Sequence, residues 1–317
     1  MRAAFLDYET VSSGDLDTAS LERAAPEIRF YSTTTEAQLA GRIANAQILL
    51  VNHINLTRAR LDEARKLELI AVAGTGTDGV DLGAAQERGI AVCNVRGYCT
   101  ASVVQHAWAL ILSLTQHLAQ YARLATDGSW VANEQYAMLA HPIRELSGRV
   151  LGIVGWGTLG RGVAAVGEAF GMRSIACNRP GAPPERGRVS LDELLATADI
   201  VSLHCPSTPA TRGLIGAREL GLMKADALLI NTARGALVDS AALAHALRAG
   251  RLGGAGIDVL PQEPPIDGDP LLALDIPNLI VTPHVAWAAR EARQRCIDEM
   301  AANIADFRRG GRQGRVV

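Results

Sequence analysis

A chain of 317 residues exceeds what one hydrophobic core ordinarily organises, so two domains are expected. A hydrophobic content of 48% against 20% charged residues fits a water-soluble globular protein, and a net charge of −2 leaves no general basic face for nucleic acid. The five cysteines (Cys93, Cys99, Cys177, Cys205 and Cys296) are odd in number and scattered, with no C-x-x-C, which argues against a disulfide framework or a metal site. Asp7 and Glu9 interrupt the N-terminus too early for a secretory segment, and no apolar run reaches the roughly 18 residues of a membrane span. A cytoplasmic enzyme with no membrane partner is the expected class.

In chain order, buried strands are expected at 3–6, 48–51, 69–72 and 90–93, punctuated by Gly74-Thr75-Gly76 and Gly79. The stretch 101–119 is apolar and has no internal glycine or proline, so it predicts one long helix joining two lobes. A strand at 150–154 leads into a helix at 159–170. Strands at 174–177, 200–203, 227–231, 254–259 and 279–281 then alternate with helices at 191–198 and 240–249. Asp239-Ser240 caps the last of these helices and Gly250 ends it. Such alternation predicts an α/β protein with parallel sheets covered by helices on both faces. A terminal helix at 290–307 returns to the first lobe, and the polar stretch 308–312 follows it.

The most specific motif is Gly155-Trp156-Gly157-Thr158-Leu159-Gly160, which follows an apolar strand and opens a helix. Glycine permits the tight turn and lets a pyrophosphate approach the backbone, while the free N–H groups of the helix face its oxygens. A plain packing turn has the same glycines, but the strand before and the helix after supply the context that dinucleotide binding requires.

Four polar residues stand at predicted strand ends in this second half: Arg234, Asp258, Glu263 and His284. In an open α/β sheet the carboxyl ends of the strands line the ligand crevice, so the four are expected to converge. An arginine fork can hold a carboxylate and polarise the neighbouring carbonyl. A histidine can protonate the alkoxide that forms as a hydride arrives, and a glutamate beside it orients the ring and favours its charged form. Taken singly, each is an ordinary surface or turn residue; together on a nucleotide fold they favour hydride transfer to a 2-keto acid. Asp258 is either a helix cap or ion-pair partner, or, the preferred reading, a contact for a nicotinamide amide. His106 and His117 are expected to be packed on the long helix. His141 and His245 read as loop and helix-surface residues, His204 supports a loop near the cofactor, and His53 follows a first-lobe strand toward the crevice.

With these residues in view, the chain resembles the D-isomer-specific 2-hydroxyacid dehydrogenase family over nearly its whole length. It is most similar to the glycerate dehydrogenase or hydroxypyruvate reductase branch, on the segments Ala73-Gly74-Thr75-Gly76-Thr77-Asp78-Gly79-Val80-Asp81, Cys93-Asn94-Val95-Arg96-Gly97-Tyr98 and Thr282-Pro283-His284-Val285-Ala286-Trp287. The resemblance implies two doubly wound parallel-sheet lobes. A flavodoxin-like substrate domain is made of 1–98 and 288–317, and a Rossmann NAD(P) domain of 99–287. It implies a homodimer joined through the cofactor domain by an arm near 121–147, whose Trp130, Val131, Met138, Leu139 and Ile143 are an odd apolar load for a surface loop. Arg234 would hold the substrate, His284 would be the acid and base, and Glu263 its partner. His53, Thr75 and Gly76 would face substrate with Arg234 and His284. Val104, Gly155, Gly157, Thr158, Leu159, Gly160, Asn178, Arg179, His204, Cys205, Pro206, Thr211, Thr232, Ala233, Arg234, Asp258, His284 and Ala286 would line the cofactor, and no metal is expected.

Two departures qualify the match. The acidic residue that selects NAD about 20 residues after the glycines is missing, and Asn178-Arg179 stands there, which favours NADP(H) while NAD(H) stays possible. In a weaker reading, Arg179 stacks on adenine and discriminates little. His53 occupies a position where related glycerate dehydrogenases tend to carry lysine, which bears on the substrate. The expected activity is reversible reduction of hydroxypyruvate or glyoxylate to D-glycerate or glycolate. The alternatives are a broad D-2-hydroxyacid dehydrogenase of D-lactate type and a non-catalytic, corepressor-like dinucleotide-sensing scaffold. Oxidation of a one-carbon or inorganic anion fits less well, because it calls for no protonated alkoxide.

Overall fold

The computed structural model describes residues 1–133, 135–178 and 185–317. They form two compact units, Met1–Cys99 with Trp287–Val317, and Thr100–Ala286. Both are built on all-parallel sheets.

In the first unit β1 (Arg2–Phe5), β2 (Glu27–Phe30), β3 (Ile48–Val51), β4 (Leu69–Val72) and β5 (Ala91–Cys93) assemble in the order β2-β1-β3-β4-β5. This is the flavodoxin-like order expected for that lobe. Side chains alternate across the pleat: Ile48 and Leu50 join the core on one face, Leu49 and Val51 the core on the other. The terminal helix Arg290–Arg308 closes the first face with Cys296, Ile297, Met300 and Ile304, all fully buried. Burial of each such aliphatic side chain stabilises by about 1.5–3 kcal/mol.

The second unit holds β6 (Val150–Val154), β7 (Arg173–Ala176), β8 (Ile200–Leu203), β9 (Leu228–Asn231), β10 (Gly254–Ile257) and β11 (Leu279–Val281), in the order β11-β10-β9-β8-β6-β7. Beyond β7 a parallel bridge joins Cys177 to Val189. That bridge stands where the outer third strand of the 3-2-1-4-5-6 dinucleotide order would lie, and among the described residues that strand is one residue pair. The order reverses beside β6, which puts the glycine turn at the switch point.

Expected elements lie within a residue or two of the observed ones, with one correction. The helix expected at 101–119 breaks: Thr100–Gln116 buries seven residues, His117 turns left-handed at φ 49°, and Leu118–Thr126 buries none. Apolar content alone does not reveal where a helix leaves the core. The His117 ring stacks on His141 with centroids 5.3 Å apart, so His117 is a junction residue rather than a packed one. A short helix, Ser129–Ala132, follows, so the 121–147 segment is partly helical. Within it Val131, Tyr136 and Leu139 are almost fully exposed in the single chain. Among the described residues no helix is long and apolar enough to cross a membrane.

Candidate active site

The glycine turn has one glycine for each of three different demands. Gly155 has φ 103°, and a Cβ there would lie 2.5 Å from the backbone nitrogen of Cys205. Gly160 sits in the first turn of the Thr158–Ala169 helix, where a Cβ would meet the Gly155 carbonyl at 2.2 Å. Both are required by the fold itself. At Gly157 a Cβ would meet nothing within 4 Å. No internal contact calls for glycine there; close approach of an external group to the backbone does. Thr158 and Leu159 open the helix whose N–H groups follow. Val104, on the Thr100–Gln116 helix, packs where Gly162 leaves room, since a Cβ at Gly162 would meet its methyl at 2.7 Å.

A cavity of about 390 Å³ runs along this turn, lined among others by Gly155, Gly157, Asn178, Cys205, Pro206 and Thr211. His204 also lines it and is half-buried; desolvation alone pushes its imidazole down to about 4, so the ring is neutral. Its Nε2 lies 2.8 Å from Ser202 Oγ, while Nδ1 has no partner among the described residues. Thr232 Oγ1, at the end of β9, is likewise buried without a partner. Buried polar atoms without a partner at the ends of β8 and β9, with His204 beside the glycine turn, fit a polar ligand such as a dinucleotide. Burial raises the Cys205 thiol to about 11 and also raises Cys177, so neither is a nucleophile at neutral pH. The Thr211 hydroxyl donates to the Pro206 carbonyl at 2.7 Å and accepts from the Thr208 amide at 2.8 Å, fixing this wall.

The ends of the adjacent strands β9, β10 and β11 carry Arg234, Asp258 and His284. The fully buried Asn231 shapes the first turn: its side-chain amide donates to the Arg234 carbonyl at 2.9 Å and its oxygen accepts from the Ala233 amide at 3.1 Å. Arg234 Nη1 donates to the Ala233 carbonyl at 2.8 Å. Gly235 follows, and a Cβ there would lie 2.0 Å from the Leu260 carbonyl carbon, so the 258–263 loop runs directly against the arginine turn. In that loop Glu263 Oε1 accepts from the Leu260 amide at 2.8 Å, and its Oε2 lies 2.7 Å from His284 Nδ1. Glu263, a residue between turn segments, is thus a hydrogen-bond partner of His284 rather than a solvated side chain. His284 itself has φ 53°, a left-handed conformation costing about 1–3 kcal/mol outside glycine. Its amide donates to the carbonyls of Asp258 at 2.8 Å and Thr282 at 3.0 Å, which hold it there.

Asp258, 1% exposed, anchors the same loop. Its carboxylate accepts from Thr282 Oγ1 at 2.5 Å and from the amides of Val285 and Ala286, both at 2.9 Å. Burial pushes its carboxyl up, but these hydrogen bonds and the His106 contact outweigh burial and hold it below the ordinary carboxylate range. Within the fold this carboxylate positions the histidine loop. The ledge formed by β9, β10 and β11 therefore joins a guanidinium, a carboxylate-bound imidazole and the chain that fixes them. Such a set can bind a small carboxylate and deliver a proton beside it.

The family model for the NAD binding domain of D-isomer specific 2-hydroxyacid dehydrogenases matches residues 108–286, which include all of these residues of the second unit except Val104 and His106. The chain belongs to this family. It is 42% identical over 299 residues to a glycerate dehydrogenase of Methylorubrum extorquens, covering 92% of this chain and 94% of the relative. It is 34% identical to a hydroxypyruvate reductase of Blautia hydrogenotrophica, with 98% of each chain covered. The structure of a D-lactate dehydrogenase from Aquifex aeolicus complexed with NAD and lactic acid superposes with a TM-score of 0.84 at 28% identity, covering 100% of this chain and 99% of that one.

In this dehydrogenase the expected substrate-binding residues His53, Thr75 and Gly76 lie in the first unit. His53 follows β3 and Thr75 follows β4, on neighbouring strands of one sheet. Thr75 Oγ1 donates to the Val95 carbonyl at 2.7 Å, and the Thr75 carbonyl accepts from the Asn94 side chain at 2.7 Å, so the 74–76 turn is held firmly. Arg179 lies outside the described residues. Four supporting residues escape a reading of the sequence. Asn231 precedes the arginine turn unremarkably. His106, expected to be packed, has Nε2 3.0 Å from Thr282 Oγ1 and 3.4 Å from Asp258 Oδ1. Ser102 Oγ donates to the Ala286 carbonyl at 2.6 Å. Asp7, after β1, accepts from the amides of Asn52, His53 and Ile54 and so does for the His53 loop what Asp258 does for the His284 loop. The available signal was an acidic residue directly after a buried strand, twice in one chain.

Proposed function

We propose that this dehydrogenase reduces a small 2-keto acid, hydroxypyruvate or glyoxylate, to the D-2-hydroxy acid, and runs the reverse oxidation. The observation that carries this reading is the 2.7 Å contact of His284 Nδ1 with Glu263, on the strand-end ledge that bears Arg234. Bound at the glycine turn, the nicotinamide cofactor supplies the hydride that enters the ketone carbon. Arg234 holds the substrate carboxylate and polarises the ketone. Nδ1–H of His284 donates to Glu263, so a proton leaves through Nε2 to the ketone oxygen and balances the hydride. In the reverse direction the same nitrogen takes the alcohol proton.

NADP(H) is the favoured cofactor, with NAD(H) accepted, because Asn178 stands where an acid would repel a 2′-phosphate. Two chains pair through the cofactor unit, covering Trp130, Val131, Tyr136, Leu139 and Ile143, each more than half exposed in the single chain. Such a dimer acts in the cytoplasm. The test is a steady-state panel of NADH and NADPH against hydroxypyruvate, glyoxylate, pyruvate and bulkier 2-keto acids. Preference for the first two is expected. A maximum at pyruvate or beyond would instead favour the broad D-lactate type, and no turnover with any of them would favour the non-catalytic scaffold.

A further inference from the structure

The vestigial outer strand of the second unit brings two charged residues to the cofactor cavity. Glu185 and Arg188 both line it, beside Asn178 and Trp156. They are placed there by hydrogen bonds to the Asn178 side chain and the backbone. The Glu185 amide donates to Asn178 Oδ1 at 2.8 Å, the Asn178 amide to the Val189 carbonyl at 2.9 Å, and the Val189 amide to the Ala176 carbonyl at 3.1 Å. The 185–189 stretch is thereby folded back against the end of β7, where a selective strand-end acid is missing from the sequence. Arg188 lies over the Trp156 ring, 5.4 Å from its centroid, and its Nη2 is 3.6 Å from Glu185 Oε2. That separation is an ion pair without a hydrogen bond. Its side chain is 20% exposed, against 49% for Glu185.

From this juxtaposition we propose that Arg188 is a specificity-determining residue that reads the 2′ position of the adenine ribose, with Glu185 as its counterweight. This rests on the dinucleotide reading of the site. A guanidinium held over an indole is oriented but only loosely paired, so a 2′-phosphate entering the cavity can take its donors bidentately. Glu185 acts in the opposite sense. Its carboxylate accepts from a ribose hydroxyl and repels a phosphate, as the absent strand-end acid would. The pair thus lets one site take either dinucleotide, and removing one member tips the balance in a defined direction.

The test is calorimetric binding of 2′,5′-ADP and 5′-ADP to the wild type and to Arg188→Ala and Glu185→Gln, with NADPH and NADH kinetics alongside. Arg188→Ala is expected to weaken 2′,5′-ADP at least tenfold, with 5′-ADP changing less than twofold. Glu185→Gln is expected to tighten 2′,5′-ADP severalfold and weaken 5′-ADP. Higher salt should erode the Arg188 effect in the wild type. Equal responses of both nucleotides to Arg188→Ala would overturn the assignment while leaving dinucleotide binding intact. If the wild type binds neither nucleotide, nor NADH or NADPH, the reading of the site itself fails. Arg188→Lys should keep charge but lose the fork, with intermediate 2′,5′-ADP affinity; wild-type affinity there would refute bidentate reading.

Discussion

Asp258→Ala is the substitution whose cost the structure allows to be worked out most closely. The carboxylate is 1% exposed and accepts two amide hydrogens, from Val285 and Ala286, and the Thr282 hydroxyl. Alanine leaves both amides without that acceptor, at about 1–3 kcal/mol each when buried, so a loss of about 4 kcal/mol is expected. That lies in the extreme range for one substitution and is a large part of a typical domain's stability of about 5–15 kcal/mol. The His284 backbone, held at φ 53°, would relax toward an unstrained conformation and carry the ring away from Glu263. Turnover should therefore fall even in folded protein. Asp258→Asn keeps one acceptor oxygen and should lose about half as much. The assay is denaturant unfolding of all three proteins with kcat measured on the folded fraction. The acidic limb adds a sign. The folded-state carboxyl is below its unfolded value, so its contribution is full above the ordinary carboxylate range and is lost as pH falls through the folded value; Asp258→Asn should flatten that limb. An Asp258→Ala protein within about 0.5 kcal/mol of wild type, the range of an ordinary surface change, would refute the anchoring role.

Other outcomes follow from the same geometry. Arg234→Ala should raise KM for the keto acid and lower kcat together, by about tenfold or more in kcat/KM; normal kinetics would remove the carboxylate clamp. Gly157→Ala should unfold like the wild type yet lose dinucleotide affinity, since its Cβ meets nothing in the protein, whereas Gly155→Ala should destabilise by several kcal/mol, of order 3, because φ is 103° and Cys205 is 2.5 Å away. Calorimetry and thermal unfolding separate the two. The His204 ring is driven from 6.5 to about 4 by burial, so the unfolded chain takes up its proton first. Stability from this group is full above pH 6.5 and lost by about pH 4, a loss of order 3 kcal/mol that His204→Gln should remove from the pH profile.

The parts legible in the sequence are those set by local pattern. The glycine turn, the strand and helix alternation and the ends carrying Arg234, Asp258 and His284 depend on spacing and on the rule that parallel strands present their carboxyl ends together. Reading failed where tertiary contacts decide. Nothing local marks His117 as the point where the long helix turns left-handed, because the apolar run continues past the last residue that the core buries. For Asp258 the sequence suggested a nicotinamide contact or a capping or ion-pair role, and nothing local shows the hydrogen bonds by which its carboxylate anchors the histidine loop. Glu185 and Arg188 lie beyond the usual place of a ribose-binding acid, and the bridge from Cys177 to Val189 with the hydrogen bonds at Asn178 returns them to it. Asn231 and His106 are common residues on regular elements, and their partners are 3 and 176 residues away.

The central claim is that the imidazole of the last strand moves the proton that accompanies hydride transfer. Single-turnover reduction of hydroxypyruvate by His284→Ala, with cofactor affinity measured on the same sample, tests it directly. A rate at least about a hundredfold below wild type with dinucleotide affinity unchanged is predicted. Turnover at the wild-type rate would contradict it.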